Sequence, residues 1–172
     1  MPSPARVIAN LVVGQNGATV AQGSSRALTN RTDRERFHQL RASARAICIG
    51  GTTYRCEPYS KPPLPLYVSS REPSPSEASS INFYHLSPTE LVELALEKEG
   101  APVLVEGGVR FLKELIEKQR IDEFHITRSP HLGDESFFDE DCLRLNYKCV
   151  NTEAKAGTNF ELWVPIGESI SQ

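Results

Sequence analysis

The sequence predicts an α/β fold with a mostly parallel central sheet, helices on both faces and a C-terminal antiparallel hairpin. Three observations predict it. Short runs of aliphatic and β-branched residues alternate with segments of helical period; several of these runs end in glycine; and the last two, RLNYKCVNTEA and NFELWVPI, are separated by KAGT alone. Strands that alternate with helices build parallel sheets, and a closing hairpin adds antiparallel edge strands.

Residues 6–13, RVIANLVV, form the first strand and stop at GQNG, which is turn chemistry. The period then changes. In RTDRERFHQLRASAR, Phe37, Leu40 and Ala44 fall at helical spacing within a charged face, so a surface helix ends near Ala44, with Thr29, Asn30 or Thr32 as candidate N-cap. AICIGG is a short strand closing on two glycines, and TTYRCEPY is a loop or a single helical turn. SKPPLPLYVSSREPSPSEASS is rich in proline and serine and is expected to be irregular surface around one strand, LPLYVSS. INFYH is a further strand. SPTELVELALEKEG carries a capping box, with Ser87 as N-cap, Pro88 at the first helical position and Glu90 at the third. APVLVEGG is a strand with an acidic exit, and VRFLKELIEKQ a helix with Val109, Leu112 and Ile116 inside and a Glu114–Lys118 pair outside. IDEFHITRSPHLGD reads as a strand ending in a Pro/Gly turn, and an ordinary loop of several residues joins the closing hairpin.

The 172 residues show no break in composition, so residues 1–172 are expected to form one domain, large enough for a real core. The 19 basic and 22 acidic residues give no basic excess, which argues against a nucleic-acid binder. No apolar run reaches membrane-spanning length and MPSPARVIANLVVG does not read as a signal peptide, so the expectation is a cytoplasmic protein with no membrane partner. Cys48, Cys56, Cys142 and Cys149 form no CxxC pair and have no histidine at zinc-ligand spacing, so no metal is expected.

Three strand ends carry glycine: Gly14 with Gly17, Gly50 with Gly51, and Gly107 with Gly108. On a parallel sheet these ends gather on one rim, where backbone N–H groups and helix N-termini favour an anionic ligand. Glycines in βα loops also serve simply to turn the chain, and neither GxGxxG nor GxxxxGK[ST] is present. Glu106, ending an apolar strand, must be hydrogen-bonded or reach a solvated cleft, because an unpaired buried carboxylate costs several kcal/mol. Ser69, Ser70 and Arg71 end another strand with a hydroxyl and guanidinium set suited to a phosphate monoester.

Taken together, GQNG, SSRALTN with RTDRERFHQLRA, AICIGGTTYRCEP, LYVSSR and above all VLVEGGVRFLKELIEKQRIDEFHITRSPHLG resemble the reductase domain of riboflavin biosynthesis, which has the dihydrofolate-reductase-like fold. The resemblance runs from about Val7 to about Gly133. It implies NADPH-dependent reduction of the ribosyl group of a phosphoribosylamino-pyrimidine to ribityl. Carried over by position, it implies cofactor contacts at Gly50, Gly51, Thr52, Thr53, Ser70, Arg71, Gly107 and Gly108, with Ser70 and Arg71 at the adenosine 2′-phosphate. Glu106 matches the acid beside substrate and nicotinamide, and Asn16 stands at the position of an acid in the first turn; these two are the catalytic candidates. Thr29, Asn30, Arg34 and Glu57 match the substrate side. A homodimer is also implied.

The chain departs from the family pattern on the substrate side. GQNG replaces SLDG, Ala27 replaces a tryptophan, Cys56 and Glu57 replace an acidic pair before Pro58, and the following segment is shortened, without the arginine that meets the substrate's phosphate. The zinc motif of the deaminase domain is absent, so reduction alone is expected. Two alternatives stand beside this reading: a reductase of another pterin-like or pyrimidine-like substrate, and a non-catalytic nucleotide-binding homologue.

Overall fold

A computed structural model describes residues 4–57, 59, 61–71 and 80–167. Pro58, Ser60 and residues 72–79 of the Pro/Ser-rich stretch lie outside them. The strands are β1 (Val7–Val13), β2 (Ala18–Val20), β3 (Ala46–Gly50), β4 (Leu66–Ser69), β5 (Ile81–Tyr84), β6 (Val103–Val105), β7 (Glu123–Arg128), β8 (Glu135–Phe137), β9 (Tyr147–Lys155) and β10 (Thr158–Pro165). The helices are α1 (Arg31–Ser43), α2 (Gly51–Cys56), α3 (Pro88–Glu99), α4 (Val109–Glu117) and α5 (Glu140–Asn146), with a 3-10 turn at Arg26–Leu28. Eight strands form one sheet in the order β5-β4-β3-β6-β1-β7-β10-β9. The first six are parallel, and β10 runs antiparallel to both β7 and β9.

Alternation along the strands divides the sheet's two faces. Val7, Ala9, Leu11 and Val13 of β1, with Val103, Val105, Phe124 and Ile126, pack under Leu91, Ala95, Leu112, Leu115 and Ile116 of α3 and α4 in the main core. Ile8 and Leu104 point the other way, where Leu40 and Ala44 cover them. Helices therefore lie on both faces, as the pattern predicts. The capping box at Ser87 is present in full, with Pro88 opening α3.

Three elements differ from expectation. Residues 144–146 end a helix rather than begin a strand: Asp139 accepts the Cys142 N–H, Glu140 and Asp141 sit in the first turn, and Cys142 and Leu143 are buried. An N-cap and first-turn acids thus override a short β-like string. The closing hairpin turns in two residues, Ala156 (φ 54°) and Gly157 (φ 75°), a pair of positive angles that suits the right-handed twist of the strands. Finally, β2 and β8 make a small antiparallel sheet that ties residues 18–20 to 135–137, a long-range pairing with no local signal.

Tyr147 is buried, and its hydroxyl both receives the Ile121 N–H (3.0 Å) and donates to the Ile121 carbonyl (2.9 Å). Tyr147→Phe leaves both backbone groups buried without a partner, at a cost of about 1–3 kcal/mol. Urea denaturation is expected to show that loss; a change within error would refute the assignment.

Candidate functional site

The parallel strands all end on one rim, and there a cavity of about 1550 Å³ opens between that rim and α1. Its volume exceeds the roughly 300–1,000 Å³ that holds one small ligand, so there is room for two. At its floor stands Glu106, one residue beyond β6, with its side chain 2 % exposed. The carboxylate is not left to water. Arg41 of α1 grips it with Nε on Oε1 (2.6 Å) and Nη2 on Oε2 (2.7 Å), and the Tyr59 hydroxyl donates to Oε2 (2.5 Å). Burial works against the charge on Arg41, but the bonds and charge of Glu106 outweigh it and raise its pKa. Burial and the neighbouring Glu106 charge push Tyr59 far above the usual phenol range, so it stays a donor. The Arg41 guanidinium also stacks over Phe37, 4.1 Å from the ring centre. A catalytic candidate in sequence, Glu106 has both oxygens committed to protein donors and acts as the anchor of the cavity floor.

Beside it, the two central glycine turns are stitched together: Gly50 N–H donates to the Gly107 carbonyl (3.0 Å) and Glu106 N–H to that of Cys48 (3.2 Å). Gly107 adopts φ +116°, and a Cβ on Gly108 would lie 2.9 Å from Thr53 Oγ1, so neither position accepts a side chain without displacement. Gly108 is the N-cap of α4 and supplies no side-chain cap, leaving first-turn N–H groups for an anion. Gly50, Gly51, Thr52 and Thr53 open α2 on the same wall, and Ser70 and Arg71 line it beyond β4. All eight cofactor candidates thus share one cavity.

On the opposite wall, Arg34, Phe37, His38 and Arg41 form one stripe of α1. Next to it, Asp33 is buried yet reaches the cavity, and Thr127 of β7 donates a hydrogen bond to its Oδ1 (2.6 Å). Burial raises the Asp33 pKa; the Thr127 bond and the charges of Arg36 and Arg34 offset this only in part. The site therefore holds a carboxyl that keeps its proton to higher pH than an ordinary aspartate. Asp33 is absent from the sequence-derived candidates. The signal was its position four residues before Phe37, on the inward side of the helix, in a place that also suits a first-turn acid.

Other candidates take structural positions. Asn16 does not reach the cavity: its amide donates to the Gly133 carbonyl (2.8 Å) and its Oδ1 accepts the Gly133 N–H (3.1 Å), pinning the first turn to the β7–β8 loop. Gly14 and Gly17 go with it and line a separate, smaller cavity, because the chain reverses at once into β2. Asn30 caps α1 by accepting the Asp33 N–H (2.9 Å) and donates to Thr158 Oγ1 (2.8 Å), which occupies its amide. Glu57 lines the cavity but accepts the Ser25 N–H (2.8 Å), tying the end of α2 to the segment before the 3-10 turn. Thr29 and Arg34 do line the cavity.

Removing Arg41 would leave Glu106 buried with Tyr59 alone, and breaking such a pair costs about 3–5 kcal/mol. Arg41→Met is expected to lose that much in chemical denaturation; a loss below about 1 kcal/mol, the value of an exposed pair, would contradict the geometry.

Similar folds recur among solved proteins. The bifunctional diaminohydroxyphosphoribosylaminopyrimidine deaminase/5-amino-6-(5-phosphoribosylamino)uracil reductase of Thermotoga maritima superposes with a TM-score of 0.74 at 15% identity, over 93% of this chain and 56% of that one. This chain therefore spans little more than half of that protein. A pyrimidine reductase-like protein of Corynebacterium diphtheriae gives 0.71 at 16% identity, covering 95% and 93% of the two chains. Dihydrofolate reductase of Enterococcus faecalis, solved with NADP(H) and RAB-propyl, gives 0.70 at 18%, covering 94% and 97%. These likenesses establish the dihydrofolate-reductase-like fold. No curated protein sequence matches the chain. The model of the RibD C-terminal domain matches residues 7–158, nearly the whole of the described sheet, and the chain belongs to that family.

Proposed function

We propose that this protein is an NADPH-dependent reductase of the riboflavin-biosynthesis type, reducing the ribosyl group of a phosphoribosylamino-pyrimidine to ribityl. The observation that carries the reading is one cavity with side-chain-free glycine turns on one wall and a buried carboxyl, Asp33, on the other. The residues fit a dinucleotide. Gly107 and Gly108 leave room for a pyrophosphate at the α4 N-terminus, Thr52 and Thr53 supply hydroxyls beside it, and Ser70 and Arg71 suit a 2′-phosphate, which favours NADPH over NADH. When bound, NADPH supplies a hydride.

Asp33 supplies the complementary proton. As a carbon–nitrogen or carbon–oxygen double bond gains hydride at carbon, its heteroatom takes the proton from the Asp33 carboxyl. The carboxylate left behind accepts from Thr127 and faces the charges of Arg36 and Arg34. Phe37 offers a ring against a heterocycle, and Thr29 and Arg34 border the same space. Asp33 would equally pair with the N–H edge of a pterin, which keeps the related reductase reading alive. A homodimer belongs to the same proposal, supported by β9, an exposed edge strand paired on one side only.

Loss of absorbance at the nicotinamide band is expected with NADPH and the phosphoribosylamino-pyrimidine but not with dihydrofolate. Oxidation with dihydrofolate alone would select the pterin-like reading, and binding without oxidation of any heterocycle would overturn catalysis. Asp33→Asn is expected to lower kcat by about 10²–10⁴, the range of a lost general acid. Because the folded-state pKa of Asp33 is raised, its contribution to stability is present below the unfolded pKa and declines as pH rises through the folded value. Asp33→Asn should thus gain stability relative to wild type at neutral pH, and the gain should vanish in acid.

A further inference from the structure

Polar rungs join the first half of α1 to the sheet. Asn30 donates to Thr158 Oγ1 of β10 (2.8 Å), Asp33 accepts from Thr127 of β7 (2.6 Å), and Arg36 donates to His125 Nδ1 of β7 (3.0 Å). Residues 30, 33 and 36 follow one another at three-residue spacing, and His125 and Thr127 lie two apart on their strand, so each set shares one face. The Arg36 rung differs from the others. Its acceptor is an imidazole, whose charge changes close to neutral pH.

A guanidinium only donates, so the contact requires a bare Nδ1 on His125 and places the ring hydrogen on Nε2, toward Glu123 Oε2 (3.4 Å). Arg36 is also held from the other side, with its guanidinium 4.8 Å from the centre of the buried Phe160 ring. Few charges surround the imidazole. Arg36 faces it from α1 and Glu123 from its own strand, while Asn10 of β1 and Leu162 of β10, its neighbours in register, carry none. Glu153 of β9 and Asp33 act on Arg36. The His125 side chain is 14 % exposed and that of Glu123 42 %, so water screens the one group that favours a proton on the ring. Burial, followed by the charge of Arg36, holds the imidazole neutral below the usual histidine range, against the pull of Glu123.

We propose that the Arg36–His125 contact is an acid-sensitive catch that seats α1 on the sheet and positions Asp33 against Thr127. A proton on Nδ1 turns the acceptor into a donor and sets an imidazolium against a guanidinium at hydrogen-bond distance, so Arg36 must withdraw. The next rung, Asp33, is one helical turn away, and withdrawal takes with it one of the two positive charges that favour the Asp33 carboxylate. Neither Arg36 nor His125 lines the cavity; both are positioning residues. The consequence for catalysis rests on the assignment of Asp33 as proton donor above, whereas the catch is testable without turnover. In a released helix the ring regains its ordinary pKa. The seated form is therefore fully favoured above about 6.5 and loses ground as pH falls through the lowered folded value, by up to about tenfold per pH unit.

Nitrogen-15 NMR of the histidine rings and amide hydrogen exchange, both on the ligand-free protein, test this. His125 is expected as the Nε2–H tautomer near neutral pH, with a titration midpoint below about 6.5. On acidification, exchange of the α1 amides relative to His125→Gln is expected to accelerate by up to about tenfold per pH unit, because glutamine offers Arg36 an acceptor that takes no proton. An Nδ1–H tautomer near neutral pH, a midpoint at or above about 6.5, or the same pH dependence of α1 exchange in both proteins would overturn the proposal. Should His125→Gln fail to fold, exchange of α1 relative to α3, on the other face of the wild-type sheet, decides in its place. If the catch titrates as expected while Asp33→Asn keeps full turnover, the catch stands and the proton-donor assignment fails separately.

Discussion

A buried carboxylate held by an arginine and a tyrosine organises the cavity. Glu106 ends the central strand β6, Arg41 belongs to the helix across the cavity, and Tyr59 comes from the chain after α2, so three separate parts converge on one pair of oxygens. Desolvating a carboxylate without partners costs several kcal/mol, and the two donors together with the planar fork of Arg41 meet that cost with defined geometry. Hydrogen bonds between the turns at Gly50 and Gly107 depend on the same strand end. The carboxylate sets where the glycine wall stands relative to α1.

The two faces of the sheet are built by different forces. Under α3 and α4, large aliphatic side chains interlock and burial supplies the stability. Beneath α1 the attachment is mostly polar: Asn30 to Thr158, Asp33 to Thr127, Arg36 to His125 (3.0 Å) with its guanidinium 4.8 Å from the centre of the Phe160 ring, and Arg41 to Glu106. Leu40 and Ala44 add a small apolar patch at its end. A helix fastened this way can present charged residues to a ligand on its neighbouring stripe without breaking a core, and directional bonds fix its rotation more narrowly than grease would. The chemistry of the site thus follows from the composition of α1.

Strands, helices and their order were legible because β1, buried on both faces, reads as a continuous aliphatic run, because β7 alternates and α3 and α4 show helical period, and because Ser87-Pro88-x-Glu90 marks a helix start by local chemistry alone. The glycine wall of the cavity was legible too, since glycines at strand ends report close backbone approach. What the chain could not reveal were long-range partners. Gly133, distant in sequence, takes the Asn16 amide, and Arg41 and Tyr59 are the partners that a carboxylate at the end of an apolar strand required but that the sequence did not name. Asp33 was hidden for the converse reason: it resembled an ordinary first-turn acid, and only Thr127 on β7 and the surrounding burial distinguish it.

The central claim, that the glycine wall braced by Glu106 receives NADPH, is tested most directly by fluorescence titration of the purified protein with NADPH and NADH in parallel. The account predicts saturable binding of one NADPH per chain, about tenfold or more tighter than NADH, and its loss in Gly108→Val, whose side chain would collide with Thr53. Absence of binding for both nucleotides, or NADPH affinity unaltered in Gly108→Val, would contradict it.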